Sequence, residues 1–206
     1  MRTKYLPLRK VNYVLPSRKE ENHPNKMKRI IVNPCLKETI IFVKTAAETK
    51  REVTELIITL SPGGGNPLHY HTSYSETFTP LQGALGLELK NKKQVILQPG
   101  KSHLVKKGEV HRFFNPGDQE IRFRNEVSPG HTGFENTLRI LAALASDGLY
   151  STKNVPKSFT HLAICGMMSD MRLPGLMSLT LPLLKLMAIR AKKKGIEQQL
   201  LDKYCS

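Results

Sequence analysis

Gly63-Gly64-Gly65-Asn66-Pro67-Leu68-His69-Tyr70-His71-Thr72-Ser73-Tyr74-Ser75-Glu76 runs on through a β-rich stretch to Gly83. On an extended chain, residues i and i+2 face the same side. His69 and His71 therefore point together while Tyr70 turns away, and Glu76 can return a carboxylate to the same place. A second stretch carries Gly100, Lys106, Gly108, His111 and Asn115, and offers one more imidazole on a short strand. Three imidazoles and one carboxylate are a borderline-hard donor set suited to Fe, Mn, Ni, Zn or Cu. Four protein ligands on an octahedral ion leave two positions for water, substrate or dioxygen. Burying these four groups with no partner would be costly, although any one of them alone reads as an ordinary residue.

Outward from this stretch the pattern is short strands broken by turn residues. Expected strands are 39–44, 53–60, 76–81, 84–89, 94–97, 102–105, 110–114 and 121–127. In the last, Ile121, Phe123 and Val127 alternate with Arg122, Arg124 and Glu126, so one face is buried. Pro99-Gly100 and Asn115-Pro116-Gly117-Asp118 punctuate the gaps. Many short strands at regular spacing indicate an antiparallel sandwich or barrel. Beyond Pro129 the texture becomes helical, with expected helices at 134–145, 159–171, 173–190 and 196–204, and Pro182 should break or kink the third.

Together, Gly63, His69, His71, Glu76 and Gly83, with Gly100, Gly108, His111 and Asn115, resemble the paired motifs of the cupin superfamily. Lys106 replaces the usual Pro of the second motif, which puts loop geometry in question rather than metal binding. Sixteen residues separate Gly83 from Gly100, close to the short spacing of microbial cupins. The resemblance covers roughly residues 40–127 and extends more loosely over 27–206. It implies an all-β fold, a small cupin or jelly-roll β-barrel with a C-terminal α-helical extension. Residues 1–29 would be a disordered basic extension, 30–131 the barrel and 132–206 the helical extension, and residues 1–26 would be an over-extended start. It also implies one divalent transition metal ion held by His69, His71, Glu76 and His111. Glu76 is the ligand expected to loosen and accept a proton, and so the catalytic residue. The family allows dioxygenases, isomerases and decarboxylases acting on small organic molecules, and equally non-catalytic ligand or metal sensors. Gln82, Tyr74, Phe78 and Phe113 are candidates for lining the pocket, with core packing the alternative for the aromatics. Arg112 should face away from His111, and Asn115 should form a turn.

The chain has 206 residues, 39% of them hydrophobic, which suits one soluble domain with an appendage. Its net charge of +15 gathers at the ends: residues 1–30 carry nine basic and two acidic side chains, and residues 134–206 ten and five. Basic groups in tails and in Lys192-Lys193-Lys194 read as solvated charge, so a nucleic-acid surface is not expected. Cys35, Cys165 and Cys205 are widely spaced and odd in number, which suggests a reducing, cytoplasmic setting. A homodimer is expected from family tendency. Residues 173–194 are apolar with a basic flank; packing against the barrel or a partner copy is favoured over peripheral membrane contact.

Overall fold

The computed structural model describes residues 28–206. The expected extension over residues 1–29 therefore lies almost wholly outside the described residues. Arg29 is among them, donating to the Phe42 carbonyl and pairing with Glu48.

The strands are β1 (Ile30–Asn33), β2 (Glu38–Lys44), β3 (Thr54–Leu60), β4 (Ser75–Gln82), β5 (Leu85–Leu89), β6 (Gln94–Leu97), β7 (His103–Val105), β8 (His111–Phe114) and β9 (Ile121–Ser128). Each follows a β-branched or alternating run. Along β9, buried Ile121, Phe123, Asn125 and Val127 alternate with half-buried Arg122, Arg124 and Glu126. All ladders are antiparallel, in a six-stranded sheet of order β1-β2-β3-β9-β4-β7 and a three-stranded sheet of order β6-β5-β8. The core lies between them: Ile40, Phe42 and Leu56 from the larger sheet meet Leu85, Leu87 and Phe113 from the smaller.

Two expectations need correction. The sheets do not close into a barrel. Residues 65–71 approach β8 through only two isolated bridges, Gly65 to Phe114 and His69 to His111. Pro67 stands between those bridges and has no N–H to give, so no continuous ladder forms along this edge. Nor is the chain all-β, because helices take a share similar to that of the strands. They are α1 (Thr132–Ser146), α2 (Phe159–Met168), α3 (Leu181–Lys193) and α4 (Ile196–Tyr204). They bury a second apolar cluster that includes Ile140, Leu144, Tyr150, Ile164, Ala191 and Leu200.

The start of α1 fixes how the helices meet the sheet. His131 caps it, its Nδ1 accepting from the Phe134 N–H at 2.9 Å. Glu135 in the first turn accepts from the Ala46 N–H at 2.6 Å and the Thr54 hydroxyl at 2.5 Å, tying the helix to β3 and the loop before it. Pro182 opens α3 rather than kinking it, since a first-turn proline loses no helical hydrogen bond. Residues 173–194 bury only part of their apolar surface. Ala188 and Ala191 are buried, whereas Leu176 (85% exposed), Leu179 (75%) and Leu183 (60%) point outward. Among the described residues no helix is long and apolar enough to cross a membrane.

Candidate metal centre

His69, His71, Glu76 and His111 converge. One donor atom from each lies within 4.8 Å of every other, and all four side chains are buried. The two distant sequence stretches are joined through the backbone. His69 N–H donates to the His111 carbonyl at 2.9 Å, and His111 N–H returns a bond to the His69 carbonyl at 2.8 Å. Gly108 N–H donates to the His71 carbonyl at 2.6 Å. Gly108 has φ of +80°, a turn conformation costly for a residue with a Cβ. Glu76 arrives on β4, paired with Val105 and Val127 on either side.

Carbonyl oxygens only accept, so they fix ring protons. His69 Nδ1 lies 2.7 Å from the Pro67 carbonyl and His111 Nδ1 lies 3.0 Å from the Glu109 carbonyl. Both Nδ1 atoms therefore carry hydrogen, and the Nε2 side of each ring faces the centre. His71 Nε2 is buried, makes no hydrogen bond and lies 3.4 Å from Glu76 Oε2. An orphaned ring nitrogen beside a carboxylate and two more imidazoles is what a metal ion would satisfy, so the residues present fit such an ion.

Glu76 is held at both oxygens. Asn125 Nδ2 donates to Oε1 at 3.0 Å, and His111 Nε2 lies 2.8 Å from Oε2. Burial works to raise the Glu76 carboxyl, but the hydrogen bond with His111 and the nearby His71 ring outweigh it and hold the group well below its ordinary value. Burial likewise works to lower His111, and its hydrogen bond to Glu76 outweighs that and raises it. His69 is pushed down to about 3, chiefly by burial and then by the two neighbouring histidine rings.

The remaining residues singled out in the sequence divide. Phe78 and Phe113 are core residues. Gln82 is exposed at the end of β4. Arg112 faces away from His111 and pairs with Glu88 at 2.7 Å. Asn115 is a turn former, accepting from Gly117 N–H and donating to the Leu60 and Gln119 carbonyls. A cleft of about 560 Å³ lies behind the ligand strands, lined by Leu68, Tyr70, Lys90 and Val110, and none of the four clustered side chains reaches it.

Sequence reasoning missed Asn125, and treated Tyr74 only as a lining or core aromatic. Asn125 was detectable as the polar member of an otherwise apolar inward row on β9. Ser169 and Asp170, which also reach the centre, had no sequence signal.

Residues 56–127 match the Cupin domain family. These residues form a cupin domain. Solved structures similar to the chain include a predicted oxalate decarboxylase from Thermotoga maritima, 20% identical over 45% of this chain and 80% of that one, with a TM-score of 0.42. The polyketide cyclase RemF from Streptomyces resistomycificus is 22% identical over 45% and 65%, with a TM-score of 0.41. A cupin-superfamily sugar phosphate isomerase from Silicibacter pomeroyi is 21% identical over 47% and 62%, with a TM-score of 0.41. A comparison with curated proteins finds no match. In this cupin domain both motif halves deliver their histidines to one buried point.

Proposed function

We propose that the cupin domain holds one divalent transition metal ion through His69, His71, Glu76 and His111, and that the centre serves a reaction on a small organic molecule. The observation that carries the reading is His71 Nε2, buried and unpartnered beside three other donor groups. A bound ion would supply Lewis acidity or a redox centre. Around it, the chain's own residues orient and charge the site. Asn125 and His111 position the Glu76 carboxylate, and the Pro67 and Glu109 carbonyls hold the rings of His69 and His111. Glu76 is the group assigned to accept a proton from the substrate.

Elemental analysis of protein purified without chelators or an affinity metal tests the first half of this reading. About one equivalent of iron, manganese, nickel, zinc or copper is expected. His71→Ala and Glu76→Ala should each lose most of it and melt at lower temperature, because ligands bound only to the folded state stabilise it. Unchanged metal content in both variants would sink the assignment. Oxygen uptake and substrate loss over small aromatic, diketone and sugar compounds test the second half. A second reading, a metal- or ligand-sensing module, is favoured by one observation: the helical segment touches the ligand loop directly, through Ser169–Arg172. Confirmed metal and ligand binding with no turnover across the screen would select it.

A further inference from the structure

The loop between His71 and Glu76 does not stand on the cupin sheets alone. Every residue from Tyr70 to Tyr74 is hydrogen-bonded to Ser169–Arg172, the short strap that follows α2. Tyr70 and Arg172 exchange backbone bonds at 3.0 Å in each direction. The Asp170 carboxylate accepts from the Thr72 and Ser73 N–H groups, both at 2.7 Å, and from the Thr72 hydroxyl at 2.9 Å. Arg172 Nε donates to its other oxygen at 3.1 Å. The Tyr74 hydroxyl donates to the Ser169 carbonyl at 2.8 Å. Asp170 itself has φ of +53°, so the chain adopts an uncommon backbone conformation where it clamps this loop.

The strap also reaches a ligand ring. His71 Nδ1 lies 2.7 Å from the Tyr74 hydroxyl oxygen and 3.3 Å from the Asp170 carbonyl. A tyrosine hydroxyl has one proton, and the Ser169 carbonyl can only accept it. Toward His71, the Tyr74 oxygen is therefore an acceptor. The Asp170 carbonyl is an acceptor too, so both neighbours require hydrogen on Nδ1. That leaves the lone pair on Nε2, where the ligand set converges. The competing tautomer would place hydrogen on Nε2, facing Glu76 Oε2 at 3.4 Å, and would block coordination.

We propose that the Ser169–Arg172 strap, acting directly and through Tyr74, holds His71 in its metal-competent tautomer, so that metal occupancy and the docking of α2 stabilise each other. The inference rests on the metal-binding reading above and assigns Tyr74 and Asp170 as positioning residues. Reciprocity is required by linkage: if the docked strap raises metal affinity, bound metal must tighten the docking of the strap by the same factor.

Cobalt(II) titration of the metal-free full chain, followed by visible absorption, is the test. Tyr74→Phe removes one hydroxyl and keeps the ring. Asp170→Asn sets an amide NH2 against the Thr72 and Ser73 donors and loosens the strap. Each should bind cobalt about 10-fold more weakly than the parent, the usual lower range for losing a partner of a ligating histidine. The Tyr74→Phe cobalt band should also shift, which a purely packing role for Tyr74 would not produce. Hydrogen exchange of the amides over 159–172 should slow when cobalt is added to the parent, and slow less in Asp170→Asn. Parent-like affinity in both variants, or exchange over 159–172 that ignores cobalt, overturns the clamp alone. A parent chain that binds no cobalt overturns the metal centre and the clamp together.

Discussion

Burial pushes the Glu38 carboxyl on β2 up to about 8 from an ordinary value of 4.5. Between these values the folded chain keeps a proton that the unfolded chain has released. Stability from this group must therefore fall as pH rises from about 4.5 toward 8. Glu38→Gln, which is neutral throughout, should gain on the order of 4 kcal/mol over the parent at pH 8 and nothing at pH 4. Urea unfolding at the two pH values measures the difference, and a gain that does not depend on pH would contradict burial as the cause. Gly83 is a second case in which one position carries a definite cost. Its φ is +73°, and an added Cβ would stand 2.6 Å from Ile121 Cγ2. Gly83→Ala should destabilise by about 1–3 kcal/mol in the same assay. At this scale the sequence was most readable where a residue type is chemically unusual. His69, His71, Glu76 and His111 announced themselves by spacing, whereas Asn125 became meaningful only once β9 lay beside β4.

Helix α1 is anchored by one side chain more than by its length. Glu135 satisfies the Ala46 N–H and the Thr54 hydroxyl from the buried side of the helix. Glu135→Ala leaves both donors buried without an acceptor and should cost about 2–4 kcal/mol in unfolding free energy. Glu135→Gln keeps one carbonyl acceptor and should cost less; equal losses in the two variants would mean that packing, not hydrogen bonding, makes the anchor. Most elements were legible to within a few residues, because alternation and helical periodicity are local signals; the third helix was not, since α3 begins at Leu181 rather than at 173. The edge strand β1 was not, since Ile30–Asn33 is too short to show a period and is defined by its partner β2. The open edge between the sheets was not legible either. Whether a ladder closes depends on donors such as the one missing at Pro67, not on the alternation of neighbouring strands.

Across the whole molecule, α1 belongs to both cores. Phe134 and Leu138 pack against the cluster between the sheets, while Ile140 and Leu144 lie in the helical cluster. With one helix shared, the two clusters should unfold as a unit. Far-UV circular dichroism and tyrosine fluorescence should give coincident urea transitions, and two separated transitions would show that the helices melt independently. Leu144→Ala should cost about 2–5 kcal/mol. Leu183→Ser, on the outward face of α3, should change stability by less than about 0.5 kcal/mol. The Ser169–Arg172 strap has a further consequence for the order in which the protein is made. Chains leave the ribosome from the N-terminus, and domains form as their segments emerge. The histidines, Tyr74 and Glu76 are synthesised long before Ser169, so a nascent cupin domain can gather its donors while His71 still lacks the Asp170 carbonyl and Tyr74 lacks the Ser169 carbonyl that orients its hydroxyl. The pocket reaches its finished form only after translation has passed Arg172, so a polypeptide stalled earlier would carry a loosely set imidazole.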